Sequence, residues 1–421
     1  MARMLPAASP PETQARDYRA TSAVAFAIGA VILSSNAPSP LYGVYQQRWG
    51  FSATALTAVY AVYMIGVIAA MFGVGPLSDQ IGRRPVMIPA LLVVAVGGVV
   101  FCLAQNLAWL IVGRILAGIG TGALAGAANA ALIEVDPDGD RDRAAMIGTV
   151  ALTIGAAIGP ALTALMIHLK LWPTVLPFIL VSLLALLAAA AVVWVPWPAP
   201  EKNLKSFRWR DYRLQRLSVP RAITRPFAIA ACAVSIAWAL GALFAALGPT
   251  LAVDLLQVKN RALAGLVLVG FQFCGGVMQV IARRYSPRRS LIVGPLAITA
   301  GLLLCLLAFS TTSGVLFILG TILTALGYGA AFVGSAALMN RIAPPDKRGE
   351  ILSTFYLIGY AAMSLSVLAV GVTTDQIGLK MTMLLFTAVI GALSAVVLGA
   401  SLRTPLSVTS PEYETSAESS L

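Results

Sequence analysis

The sequence predicts an all-α polytopic membrane protein with twelve transmembrane helices in two pseudo-symmetric six-helix bundles. Three observations carry that prediction. Hydrophobic residues make up 59% of the chain and charged residues only 11%, about half the charge of a soluble domain, and the mean hydropathy is +0.86. Apolar runs near the roughly 20 residues that a helix needs to cross the hydrocarbon core recur along the whole chain. The basic residues gather on one side of those runs.

In chain order, a polar segment (1–18) is followed by apolar spans near 19–42, 53–77, 84–104, 107–133, 144–168 and 173–197, which form a first bundle over 19–197. The first run follows a polar stretch and lacks a small-residue cleavage site, so it is expected to remain as span 1. A linker over 198–226 holds Glu201, Asp211, many basic residues and the aromatics Phe207, Trp209 and Tyr212. It reads either as a solvated connection or as a basic segment lying on anionic headgroups. Spans near 227–252, 261–284, 289–309, 314–338, 350–373 and 381–402 form a second bundle over 227–402. The tail, 403–421, is rich in Ser, Thr and Glu and is expected to be disordered. Cys102, Cys232, Cys274 and Cys305 all fall inside spans as small apolar packing residues.

The net charge of +12 is a topology signal rather than a nucleic-acid footprint. With the N-terminus in the cytoplasm, the outer side carries only Arg48, Lys170, Lys259, Arg261 and Lys380 of the 29 basic residues. Arg114 lies within a span, and the remainder are inside, as the positive-inside rule requires. The expectation is a multi-pass protein of the plasma membrane, a bacterial inner membrane, with both termini cytoplasmic.

Internal echoes support two halves. The run DRAAMIGT at 142–149 resembles KRGEILST at 347–354, each opening the fifth span of its half. GPLSDQIG at 75–82 and GVTTDQIG at 371–378 share Gly-x-x-x-Asp-Gln-Ile-Gly on opposite faces of the expected topology. Inverted three-helix repeats nested in parallel halves leave that mark.

The stretch 75–86, Gly-Pro-Leu-Ser-Asp-Gln-Ile-Gly-Arg-Arg-Pro-Val, is read as the inner loop joining spans 2 and 3. Gly75 permits close helix approach, Gly82 a sharp turn, Asp79 can accept hydrogen bonds from Arg83, and Arg84 is expected to face lipid phosphates. This stretch closely resembles the signature loop of the major facilitator superfamily, and the twelve-span pattern extends the resemblance over 19–402. The resemblance implies that Asp79 and Arg83, completed by Glu134 at the inner end of span 4, latch the halves in the outward-open state.

Arg114, about 10 Å below the outer interface in span 4, costs about 3 kcal/mol or more to bury without a partner or water. It resembles the superfamily's span-4 arginine, which implies a part in proton coupling; snorkelling to the outer headgroups is the plainer reading. The neighbouring Gly118, Gly120 and Gly122 follow no strand and read as helix-packing residues. In span 5, Gly155, Gly159 and Pro160 are similar to the motif of the drug/proton antiporter branch, although Thr163 and Ala164 replace the glycines that usually follow.

Asn36, Tyr60, Tyr63, Asn129, Trp238, Gln272, Gln279, Tyr328, Tyr356 and Tyr360 are the candidate cavity residues, a mostly aromatic and amide set suited to amphipathic, neutral or weakly charged solutes. All 17 acidic residues fall in loops, tails or span ends, so no midmembrane carboxylate is expected. Asp254 and His168, near the outer ends of spans 7 and 5, join Arg114 as coupling candidates, His being the side chain that titrates near neutrality. A nucleophile, base or metal set is lacking in the spans, so an enzyme, a metal site and a cofactor are not expected. The expectation is a secondary active transporter working by alternating access as a single copy. It is read as a proton-coupled exporter of small organic or drug-like solutes, with protons, the solute and membrane lipids as partners. Uptake by symport, uncoupled facilitation and a non-transporting receptor on the same fold are the alternatives.

Overall fold

The computed structural model describes residues 18–197, 217, 219–256, 261–344 and 347–404. Residues 1–17 of the N-terminal segment, 198–216 and 218 of the basic linker and 405–421 of the tail lie outside the described residues. The helices are α1 (Arg19–Asn36), α2 (Tyr42–Trp49), α3 (Ala53–Ile81), α4 (Arg84–Cys102), α5 (Leu107–Glu134), α6 (Arg141–His168) and α7 (Leu176–Trp194), then α8 (Thr224–Leu256), α9 (Arg261–Ala282), α10 (Pro287–Thr311), α11 (Gly314–Ile342) and α12 (Arg348–Arg403).

Among the described residues ten helical stretches are long and apolar enough to cross a membrane, and α9 adds the shorter apolar stretch Leu266–Ala282. The 56-residue α12 breaks at Gly378, where φ is 80° and ψ 160°, and so makes two crossings. Twelve crossings result. Apolar side chains such as Ile65, Leu365 and Val396 point outward, 64%, 68% and 63% exposed, as helices that face lipid require.

The helix ends follow local chemistry. Ser52, Asn106, Ser286 and Ser313 each accept a hydrogen bond from an amide in the first turn of α3, α5, α10 and α11, which satisfies donors that a helix start leaves unpaired. Pro38 and Pro40 supply no amide hydrogens, so the first crossing passes through a 3-10 turn at Ser39–Leu41 before continuing as α2. It therefore reaches Trp49, beyond the expected end near 42.

Two expected loops are mostly helix. α3 runs through the signature motif to Ile81 and turns only at Gly82, with φ 99° and ψ 164°. α12 likewise runs through Gly371-Val-Thr-Thr-Asp-Gln-Ile to the break at Gly378. The two Asp-Gln-Ile-Gly segments thus share one backbone conformation, a helix closed by a glycine at positive φ that L side chains disfavour. The other echo, 142–149 against 347–354, has structure behind it as well: Arg143 reaches back to Asp136, and the matching Arg348 donates to Asn340 at 2.7 Å.

Within the first half α3, α4 and α5 pack together, and α1 packs on α5, α6 and α7. Within the second, α8 packs on α11 and α12, and α10 on α11 and α12. The halves meet along two seams, α6 against α9 and α3 against α12. We name the end that bears Gly82 inner and the end that bears Gly378 outer, following the charge asymmetry.

Candidate functional site

Arg114 sits in the first half at the seam with the second and is 1% exposed. Its Nη1 donates to the Ser35 carbonyl at 2.7 Å. Tyr60 and Tyr63 of α3 cover it, with their ring centroids 5.0 and 4.5 Å from the guanidinium carbon. A desolvated cation over aromatic faces gains about 2 kcal/mol, which offsets part of the burial cost. The Tyr63 hydroxyl bonds Ser35 Oγ at 3.0 Å, and Ser35 Oγ lies 2.9 Å from Thr121 Oγ1. Among the described residues Arg114 Nε has no hydrogen-bond partner. Snorkelling is therefore not what the side chain does: it points into the bundle and is held by α1 and α3.

Small residues let these helices come close enough to build that network. A methyl group on Gly118 would lie 2.1 Å from the Tyr63 carbonyl oxygen, and one on Gly122 would lie 2.3 Å from that of Val67. Methyls on Gly155 and Gly159 would meet the Gly29 and Leu33 carbonyls at 2.4 Å, so this pair brings α6 onto α1 beside Ser35. Pro160 sits within α6.

In the second half Trp238 of α8 is the hub of an aromatic wall. Its centroid lies 4.4 Å from Tyr360, and it lies 5.9 Å from both Tyr356 and Phe332. Tyr328 contacts Phe271 at 5.3 Å, and Phe271 stacks on Phe244 at 4.3 Å. Tyr360 and Met363 pack on the cluster that contains Tyr63 and Met64. The polar network of one half and the aromatic wall of the other meet there, giving one cationic group, hydroxyls and ring faces at a joint that moves if the halves rock.

Of the expected cavity residues, Tyr60, Tyr63, Trp238, Tyr356 and Tyr360 come together, with Tyr328 on a neighbouring patch. Asn129 is exposed on α5, donates to its own helix at Ala125, and has its Oδ1 beside Gly148 of α6. Asn36 donates back to Ile32 at 2.9 Å. Gln279 is buried on α9, its carbonyl oxygen unpartnered among the described residues, and Gln272 lies half-buried two turns earlier on the same face. His168 is exposed at the end of α6, and the Asp254 side chain lies outside the described residues.

At the inner end the expected charge cluster forms. Arg83 pairs with Asp79, and its Nε and Nη2 each lie 3.0 Å from Glu134. Its Nη1 donates to the buried Ser78 at 2.9 Å. These partners all belong to the first half. Arg84 departs from expectation: it donates to the Val193 carbonyl in the last turn of α7, where a cation complements the helix dipole, rather than turning to headgroups. Sequence reasoning missed several residues. Ser35 and Thr121 look like ordinary small helix residues. Asp136, buried in the turn before α6, accepts from Arg143 at 2.6 Å and from the amides of Asp138 and Asp140 at 3.0 Å. Arg283 of the second half donates to Thr149 and to the Ala145 carbonyl on α6.

The arrangement has known counterparts. A bacterial homologue of the human lysosomal transporter Spinster, in an inward-facing and occupied conformation, superposes with a TM-score of 0.75 over 92% of this chain and 97% of that one. At 13% identity the likeness is one of fold alone. The 4-hydroxybenzoate transporter of Pseudomonas putida is 32% identical over 36% of this chain, and that match spans only 33% of its own length. The class G tetracycline resistance protein of Vibrio anguillarum is 31% identical over 71% of this chain and 75% of its own length. The sequence profile of the Major Facilitator Superfamily matches residues 24–365 and 242–419. With twelve crossings, two halves and that match over most of its length, the chain belongs to the Major Facilitator Superfamily.

Proposed function

We propose that this transporter is a proton-linked exporter of small organic solutes that works by alternating access, with the solute held where Arg114, Tyr60 and Tyr63 face Trp238, Tyr356 and Tyr360. The observation that carries the reading is the buried Arg114 network at the joint between the halves. A fixed cation over aromatic rings costs too much to keep without a use, and ring faces with a few hydroxyls suit planar amphipathic solutes. The likeness to a tetracycline resistance protein over most of both chains supports export, since a transporter protects a cell by removing the drug.

Arg114 cannot carry the proton itself, because a guanidinium keeps its charge in proteins. Its role in coupling is positional: it sets the field that a titrating group or a charged solute meets. Among the described residues no carboxylate reaches it, so coupling through another group, or through the solute's own ionisable group, follows from this reading. The inner cluster of Asp79, Arg83 and Glu134 serves in the same scheme as a conformational latch. The partial match to a 4-hydroxybenzoate transporter favours a second reading, uptake of an aromatic acid through the same centre.

Inverted membrane vesicles from cells with and without the transporter, energised to an acidic interior and offered a panel of cationic, neutral and anionic aromatic compounds, separate the two. Export predicts accumulation inside inverted vesicles that a protonophore abolishes. Accumulation only in right-side-out vesicles overturns the export assignment. Accumulation in inverted vesicles that survives the protonophore overturns the coupling.

A further inference from the structure

Asp375 lies near the outer end of the first crossing of α12, one turn before Gly378. Its carboxylate oxygens accept hydrogen bonds from the backbone amides of Ala53 at 3.0 Å and Thr54 at 2.8 Å, 322 and 321 residues away. Those amides open α3 in the other half, among the four that every helix leaves unpaired at its start. The next amide, that of Ala55, is capped from within by Ser52 at 3.2 Å. Three consecutive donors are thus satisfied, one by the helix's own cap and two from the opposite half.

The backbones are as close as the hydrogen bonds require. A methyl group on Gly371, one turn before Asp375, would lie 1.9 Å from Thr57 Oγ1 and 3.0 Å from the Ala53 carbonyl. Gly371 and Asp375 are the first and fifth residues of the Gly-x-x-x-Asp-Gln-Ile-Gly segment, the same places that Gly75 and Asp79 hold at the inner end. A helix start, with its unpaired amides and positive dipole end, favours the ionised form of the carboxyl that accepts from it.

We infer that Asp375 is a positioning residue of the transport cycle: it clips the first turn of α3 to α12, holds the outer end of the halves together, and must let go for the outer end to open. This goes beyond the solute and its coupling and rests only on alternating access between the two halves. A carboxylate that accepts two amides at a helix start is a charge-assisted pair. In the open state both amides and the carboxylate return to water, so the clip acts by biasing two states rather than by adding to overall stability. Losing it is expected to raise the outward-open to outward-closed ratio by about tenfold.

The test is a distance measurement between spin labels at Gln105→Cys and Thr312→Cys, at the outer ends of the two halves, in the full chain with its own cysteines replaced. Asp375→Asn is expected to move the distribution toward the longer distance by about tenfold, and Asp375→Glu to restore most of the short-distance population. Gly371→Ala, which pries the same helices apart from a neighbouring position, is expected to move it the same way. Ser286→Ala removes the cap of α10, far from the clip and from both labels, and should lower the thermal midpoint while leaving the distribution in place. An Asp375→Asn distribution equal to that of the parent overturns the proposal. So does an equal shift from Ser286→Ala, which would make the effect one of general helix destabilisation. Failure of a compound transport assay bears on the proposed solutes and leaves this measurement intact.

Discussion

Replacing Gly118 with alanine tests whether the seam between α3 and α5 sets the position of Tyr63. The added methyl would lie 2.1 Å from the Tyr63 carbonyl oxygen and 3.1 Å from the Val67 amide nitrogen. Both are main-chain atoms inside a helix, so neither can rotate away. A carbon–oxygen contact needs roughly 3.3 Å, so the two helices must separate by about 1 Å. Overpacking of this kind costs about 1–3 kcal/mol. The same displacement stretches the 3.0 Å bond from Tyr63 to Ser35 and loosens the ring over Arg114. Gly126 on the same helix provides the control, because a methyl there meets nothing within 4 Å and alanine gains roughly 0.5–1 kcal/mol over glycine in a helix. Thermal midpoints of the two purified variants should fall on opposite sides of the parent, and Gly118→Ala should transport more slowly. If Gly118→Ala is as stable and as active as Gly126→Ala, the helices are not held at the distance the structure gives, and the argument from close approach fails.

Arg114→Lys keeps the charge but loses the planar group that lies against two rings and bonds Ser35, so transport should fall at least about tenfold; parent-like rates would reduce Arg114 to a fixed charge. A double-mutant cycle of Arg83→Gln and Glu134→Gln should return a coupling of about 0.2–1 kcal/mol in stability, as for a partly exposed pair, with a proportionally larger effect on transport. A coupling near zero together with unchanged transport would remove the inner cluster from the cycle. Asp136 is held below the ordinary carboxylate range, first by Arg143 and then by the amides of Asp140 and Asp138. Its stabilisation is therefore complete above the unfolded value, about pH 4, and is lost as pH falls through the lower folded value. Asp136→Asn should lower the midpoint at pH 7 by on the order of 2–4 °C and flatten its decline below about pH 4; an unchanged acid profile would show that the pair contributes nothing.

The crossings were legible because lipid leaves no other solution for the backbone: long apolar runs must be helices, and charge sorts their ends. The ends were less legible. Gly75 to Ile81 carries Gly, Pro, Ser and Asp, the composition of a turn, yet it stays helical because its amides are already paired within α3 and only Gly82 needs positive φ. Arg114 announced itself, since a lone cation in an apolar run has few bland explanations. Ser35 and Thr121 did not, because a hydroxyl that will bond a neighbouring helix looks in sequence like one that bonds its own. Asn129 shows the same ambiguity, since its amide donates to the preceding turn at Ala125. Asp375 was visible only as half of a repeat, and what it touches is a pair of backbone amides, which no side-chain pattern can announce.

The shared backbone of the two Asp-Gln-Ile-Gly segments makes them interchangeable parts. Gly82 and Gly378 turn through nearly the same angles, although one closes a helix at the inner end and the other at the outer. Grafting Pro-Leu-Ser in place of Val-Thr-Thr, or the reverse, should therefore leave both turns intact. What distinguishes the two ends is the partner each meets: Arg83 and Glu134 at one, the first turn of α3 at the other. A designer who wished to bias this carrier toward one face would change those partners and leave the hinges alone.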